Sequence, residues 1–153
     1  MTPEHSITRT LALLGLLSAP SAALAQSYTF TQGSGSFVSI SGSGVPVTMS
    51  GTDDGTGSVS LPFSFSFFGN PVSTVYPSTN GLLAFDAPES SYSNTALPSS
   101  STGAIVAVYW DDMSIPSGSA VYSQVTGTSG RRVATIEWSR LTPLNGADSI
   151  DVQ

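Results

Sequence analysis

The sequence contains no cysteine and no lysine, and its one histidine is His5. Without cysteine there is no disulfide framework, no thiolate metal site and no thiol nucleophile. His5 falls in a segment read below as an export signal, so the mature chain holds no His, Cys or Lys. A Ser-His-Asp triad, a Cys-His pair and a Ser-Lys dyad are thereby excluded, and zinc loses its usual ligands. Charge is scarce too: 9% of the 153 residues are charged, with ten Asp and Glu against four Arg. A net charge of −6 leaves no cationic surface for phosphates, which argues against nucleic acid and anionic membrane as partners. No Asn-x-Ser/Thr acceptor occurs, and no amphipathic helical period appears after the first segment.

That first segment has the build of a secretory signal. A polar stretch with Arg9 precedes the apolar run Leu11 to Leu17, and Ala23-Leu24-Ala25 gives a small-residue cleavage pattern before Gln26. The alternative is an uncleaved anchor, but the run is too short to span a bilayer comfortably. Nothing later is long enough to cross a membrane. The expected organisation is a signal peptide at 1–25 and one domain at 26–153, secreted, extracellular or at the cell surface. Export without cysteine fits a bacterial protein better than an animal one.

After the signal, short runs of β-branched and aromatic residues alternate with Gly, Pro, Asn and Asp. Ser27 to Gln32, Phe37 to Ile40 and Val45 to Met49 read as strands. In Val59 to Phe67, the residues Val59, Leu61, Phe63, Phe65 and Phe67 share one parity, with Ser60, Ser64 and Ser66 on the other. A period of two puts the large groups on a core face and the hydroxyls in water. Pro62 inside this run predicts an edge strand or a bulge. Gly69 to Pro71 reads as a turn and Val72 to Tyr76 as the returning strand. Asn80-Gly81 is a strong hairpin signal, leading into Leu82 to Phe85. The polar stretch Asp86 to Gly103 reads as a long loop. Ala104 to Trp110 is apolar on both parities, which predicts a central strand covered on both sides. Ala120 to Thr126 and Arg131 to Ser139 read as a hairpin, and Ser149 to Gln153 as the start of another strand. The expected fold is all-β, an antiparallel β-sandwich of jelly-roll type. The chain stops inside an alternating pattern, so the domain is expected to be C-terminally incomplete, with an open final edge.

Three segments carry a resemblance. "VSLPFSFSFFGNPVSTVYPSTNGLLAF", "LPSSSTGAIVAVYWDD" and "GSAVYSQVTGTSGRRVATIEW" resemble, in that order, a β-sandwich module of large bacterial secreted proteins. They are also similar to the nidogen-type extracellular domain of animal matrix and adhesion proteins. The likeness covers roughly Asp53 to Trp138. It implies a non-catalytic surface, matrix or adhesive module with no agreed ligand, in which the aromatic and Asn-Gly positions determine the fold. Pro77 departs from the pattern, which usually has a β-branched residue there, and this puts the pairing of Tyr76 in doubt.

The residues themselves leave few chemistries open. A glycosidase needs two carboxylates flanking a sugar. Asp111 and Asp112 are adjacent and would point opposite ways on an extended chain. Glu137 pairs more naturally with Arg131 or Arg132 on its own strand than with either aspartate. Calcium is the sharper possibility, because oxygen-only ligands suit an acidic exported domain. Asp53 and Asp54 in "GTDDGTG" and Asp111 and Asp112 in "YWDDMS" are the candidate ligands. The competing reading is that Asp opens turns by bonding nearby backbone. Among the aromatics, Trp110 and Trp138 end apolar strands and read as core. Tyr92, in a polar loop, is the candidate ligand-binding aromatic.

The sequence thus predicts a non-catalytic secreted or cell-surface module with a structural or adhesive role, meeting an extracellular protein or glycan surface. The alternative is a carbohydrate-binding module of an exported hydrolase. No cofactor is required, with calcium the one candidate.

Overall fold

The computed structural model describes residue 29, residues 31–99 and residues 101–153. The expected signal lies outside these residues, as do Tyr28 and Phe30 of the first expected strand. Nine strands and no helix occur among the described residues. They are β1 (Val45–Pro46), β2 (Val59–Phe67), β3 (Asn70–Pro77), β4 (Leu82–Ala84), β5 (Ile105–Ala107), β6 (Met113–Ser114), β7 (Ala120–Thr126), β8 (Val133–Pro143) and β9 (Ile150–Val152). One sheet runs β2-β3-β4-β5. The other runs β1-β7-β8-β6, with β9 also paired to β8. Every strand pair is antiparallel.

The inner faces of the two sheets make one core. Leu61, Val72 and Val75 come from the first sheet and Met113, Val121, Ile136, Trp138 and Leu141 from the second. Each large apolar side chain so buried contributes about 1.5–3 kcal/mol. Trp138 is 1% exposed, and its indole N–H donates to the Ser78 carbonyl at 2.7 Å. That bond ties the second sheet to the turn after β3. Phe85 packs against Phe65 and Phe67 of β2, with ring centroids 5.9 and 4.2 Å apart.

The period-two reading of β2 is the register observed: Leu61 is buried, Phe63, Phe65 and Phe67 are half-buried, and Ser60, Ser64 and Ser66 are exposed. β2 is also an edge strand, and its pairing with β3 shifts between Ser60 and Phe65. Pro62 sits in that gap, where its missing N–H leaves no ladder bond to lose. Tyr76 pairs with Ala84 and Pro77 with Leu83, so Pro77 does not disturb the hairpin.

Several expectations are corrected. Phe37 to Ile40 forms no strand. Its backbone leads into a turn in which Ser43 N–H and Gly44 N–H both donate to Ile40 O. Of Val45 to Met49 only Val45–Pro46 is strand, against Tyr122 and Ser123 of β7. The β2–β3 turn is Phe68-Gly69, not Gly69 to Pro71. Both residues have positive φ, +47° and +85°, which suits the twist of a two-residue hairpin. β5 is an edge strand of three residues rather than a central one, with Val106 40% exposed. Its apolarity on both parities is not matched by cover on both sides. Trp110 is half-buried and outside the core, because its indole N–H turns to the Ser91 carbonyl, 2.7 Å away.

Candidate metal centre

The loop from Gly51 to Gly57 is held against two other segments. Asp53 bridges Ser114 and Thr56 bridges Ser78. Ile115 N–H donates to Thr52 O at 2.8 Å, and Thr79 N–H donates to Gly55 O at 2.8 Å. Gly55 N–H returns a bond to Thr79 Oγ1 at 3.0 Å. The loop is tight: a Cβ on Gly55 would stand 2.3 Å from Gly51 O. Asp54 adopts φ +49°, a left-handed conformation that Asp tolerates better than most residues.

Asn80 is fully buried and organises this end of the sandwich. Its Nδ2 donates to Asp54 Oδ1 at 2.7 Å and to Ser90 O at 2.8 Å. Its Oδ1 accepts from Met113 N–H at 2.9 Å. Donors and acceptors on both sides fix the orientation of the amide. Gly81, next in the chain, has φ +71°, and a Cβ there would meet Tyr109 O at 2.0 Å. Val108 N–H and Tyr109 N–H both donate to Gly81 O. The Asn80-Gly81 step therefore pulls the segment before Asp112 down onto the turn.

The result is a convergence of three carboxylates. One oxygen each from Asp53, Asp54 and Asp112 lies within 4.8 Å of the others. Oxygen ligands stand about 2.3–2.6 Å from a calcium ion, so two of them can be no more than about 5 Å apart. The spacing and the hard donors both fit that ion. Asp53 and Asp54 are exposed and Asp112 half-buried. Partial burial first, then the charges of Asp53, Asp54 and Asp111, push the Asp112 carboxyl above its ordinary value. A cation would relieve that repulsion.

Asp111 does not join the group. Its Oδ1 accepts the N–H of Asp112 at 2.9 Å, so it serves the turn. The two readings of "DD" divide between its members. Asp54 and Asp112 meet through Asn80, which the sequence presented only as a hairpin residue. No residue pattern along the chain marks that buried role.

Two other candidates are placed differently. Tyr92 is 52% exposed on a loop pinned around it. Ser90 O is held by Asn80 and Ser91 O by Trp110, while Asn94 Nδ2 donates to Trp110 O at 3.1 Å. Glu137 pairs with neither Arg131 nor Arg132. It lies between Ile136 and Trp138 in β8, so its side chain points to the opposite, outer face of the sheet, where it is fully buried. There it accepts from Ser39 Oγ at 2.7 Å, Ile40 N–H at 2.5 Å and Gln153 Nε2 at 2.9 Å. Gln153 Nε2 also donates to Val38 O at 2.8 Å. The segment around Ile40 covers the carboxylate and takes the place the arginines were expected to fill.

The two sheets and the loops gathered at Asn80 define an all-β sandwich module with an acidic loop cluster. The chain belongs to the NIDO-related (nidogen-related) family, whose model matches residues 27–153. Membership points to an extracellular module. Comparison with curated proteins and with solved structures finds no match. No helix among the described residues is long and apolar enough to cross a membrane.

Proposed function

We propose that the chain is an exported, non-catalytic β-sandwich module with a structural or adhesive role, and that calcium rigidifies the loops through which it meets an extracellular surface. The observation carrying this reading is the convergence of Asp53, Asp54 and Asp112 from two loops. Loops on a rigid scaffold are where binding residues concentrate, and a cation shared by two loops fixes their relative position. The absence of His, Cys and Lys after residue 25 removes the common nucleophile–base pairs. The family match begins at residue 27, next to the expected cleavage after Ala25, which supports export with signal removal.

The test is attachment of the purified protein to immobilised extracellular matrix, with calcium and with a chelator. Calcium-dependent attachment, reduced by Asp112→Ala and kept by Asp111→Ala, is the expected result. Equal attachment in calcium and chelator would remove calcium from the reading.

The anchoring of the loop around Tyr92 favours a second reading, the carbohydrate-binding module. An exposed aromatic held by fixed neighbours is a platform for stacking on a sugar ring. Glycan-array binding that disappears in Tyr92→Ala, with an unchanged melting curve, would select it over the first.

A further inference from the structure

The two sheets do not close along the whole sandwich. Beside the stretch where β2 leaves its register with β3, a cleft of about 350 Å³ opens between them. Its walls include Leu61, Phe65, Val75 and Leu83 from the first sheet, Phe85 just after β4, and Ala134 and Ile136 from the second sheet. Packed interiors leave few voids larger than a water molecule, whereas this volume falls in the range of about 300–1,000 Å³ typical of small-molecule sites. The only charged group in its lining is Arg132. A second hollow of about 330 Å³ shares Phe63, Phe65 and Arg132 with the first. It is lined otherwise by Ser64, Ser129 and Gly130. One groove thus passes from an apolar chamber, past a guanidinium, to a polar vestibule.

Arg132 is exposed, and its Nη1 donates to the Pro62 carbonyl at 2.9 Å. That bond spans the sheets at the place where Pro62 interrupts the ladder. No carboxylate among the described residues pairs with Arg132. Arg131 precedes it in the chain but lines neither hollow. Arg140 is bonded instead to Gly118 O. In a chain of net charge −6, the charged group that both hollows present is the one guanidinium of Arg132.

We propose that this groove binds a free single-chain alkyl carboxylate, with the hydrocarbon tail between the sheets and the carboxylate on Arg132. A guanidinium matches a carboxylate with paired N–H donors. The apolar chamber supplies the area that drives tail burial. The site shares no residue with the aspartate cluster.

Isothermal titration of the protein with decanoate, below its aggregation threshold, tests this. Saturable one-to-one binding is expected. Arg132→Gln should weaken it by about tenfold to a hundredfold, as loss of a charge-assisted contact does. Decanol should bind more weakly than decanoate and be indifferent to Arg132→Gln. Ala134→Phe, which adds bulk to the chamber wall, should abolish both. Leu83→Trp provides the same block if Ala134→Phe fails to fold. Absence of saturable decanoate binding overturns the proposal. So does an affinity unmoved by both Arg132→Gln and a folded blocking variant.

Discussion

Asn80 Nδ2 donates to Asp54 Oδ1 at 2.7 Å while Asn80 Oδ1 accepts the N–H of Met113. One buried amide therefore sets the distance between the Asp54 loop and the residue that follows Asp112. Asn80→Ala would leave the buried Met113 N–H without its partner, and each such orphan costs about 1–3 kcal/mol. A loss of that size in chemical denaturation is expected. Asn80→Asp should be at least as damaging, since it sets a fourth carboxylate beside Asp54.

Calcium should raise the melting temperature of the protein, and a chelator should reverse the rise. At a hundredfold excess over the dissociation constant the stabilisation is about 2.7 kcal/mol. Asp53→Ala and Asp112→Ala should each remove most of the response. Asp111→Ala should keep it, because Asp111 bonds the backbone of Asp112. A melting curve insensitive to both calcium and chelator would count decisively against the ion.

Asp112 also gives a prediction in pH. Its folded value is raised above the unfolded one, chiefly by burial and then by the three neighbouring aspartates. Protonation therefore favours the folded state. The contribution is fully present below the unfolded value of about 3.9 and is lost as pH rises through the raised folded value. Without divalent cation, Asp112→Asn should melt higher than the parent at neutral pH. The advantage should vanish at pH values below the unfolded carboxylate range. An Asp112→Asn protein less stable than the parent at neutral pH in chelator would contradict the repulsion.

Glu137→Leu should free the segment that crosses it. The change removes the acceptor for Ser39, Ile40 N–H and Gln153, and bonds to a charged group are worth about 1.5–3 kcal/mol each. Limited proteolysis should show faster cleavage between Phe37 and Gly44, with slower loss of the β7–β8 hairpin. Equal cleavage in parent and variant would mean that the carboxylate does not hold this segment.

Much of the fold was legible because it is written locally. The parity of Leu61, Phe63, Phe65 and Phe67 reports a half-buried strand directly, and Asn80-Gly81 and the Gly127 to Gly130 turn mark hairpins. The edge position of β5 was not legible. Apolar residues on both parities say what a strand tolerates, not which neighbours arrive to cover it. The Phe68-Gly69 turn carries no local signal, because a bulky residue rarely takes positive φ. At the site, each aspartate pair was visible, but their meeting was not. It depends on contacts between residues far apart in sequence, routed through Asn80. The role of Glu137 is hidden for the same reason: its partners are Ser39, Ile40 and Gln153, not the arginines that precede its strand.

The bonds of Gln153 to both Val38 and Glu137 have a mechanical side. They join points near the two ends of the described domain on one face. A tension applied between residues 38 and 153 would load this junction together with the short β8–β9 pairing beside it. The ladders of β7 and β8 would feel the pull only after the junction had parted. In a module under load, the first rupture would thus be a small polar clasp, leaving the sandwich behind it intact.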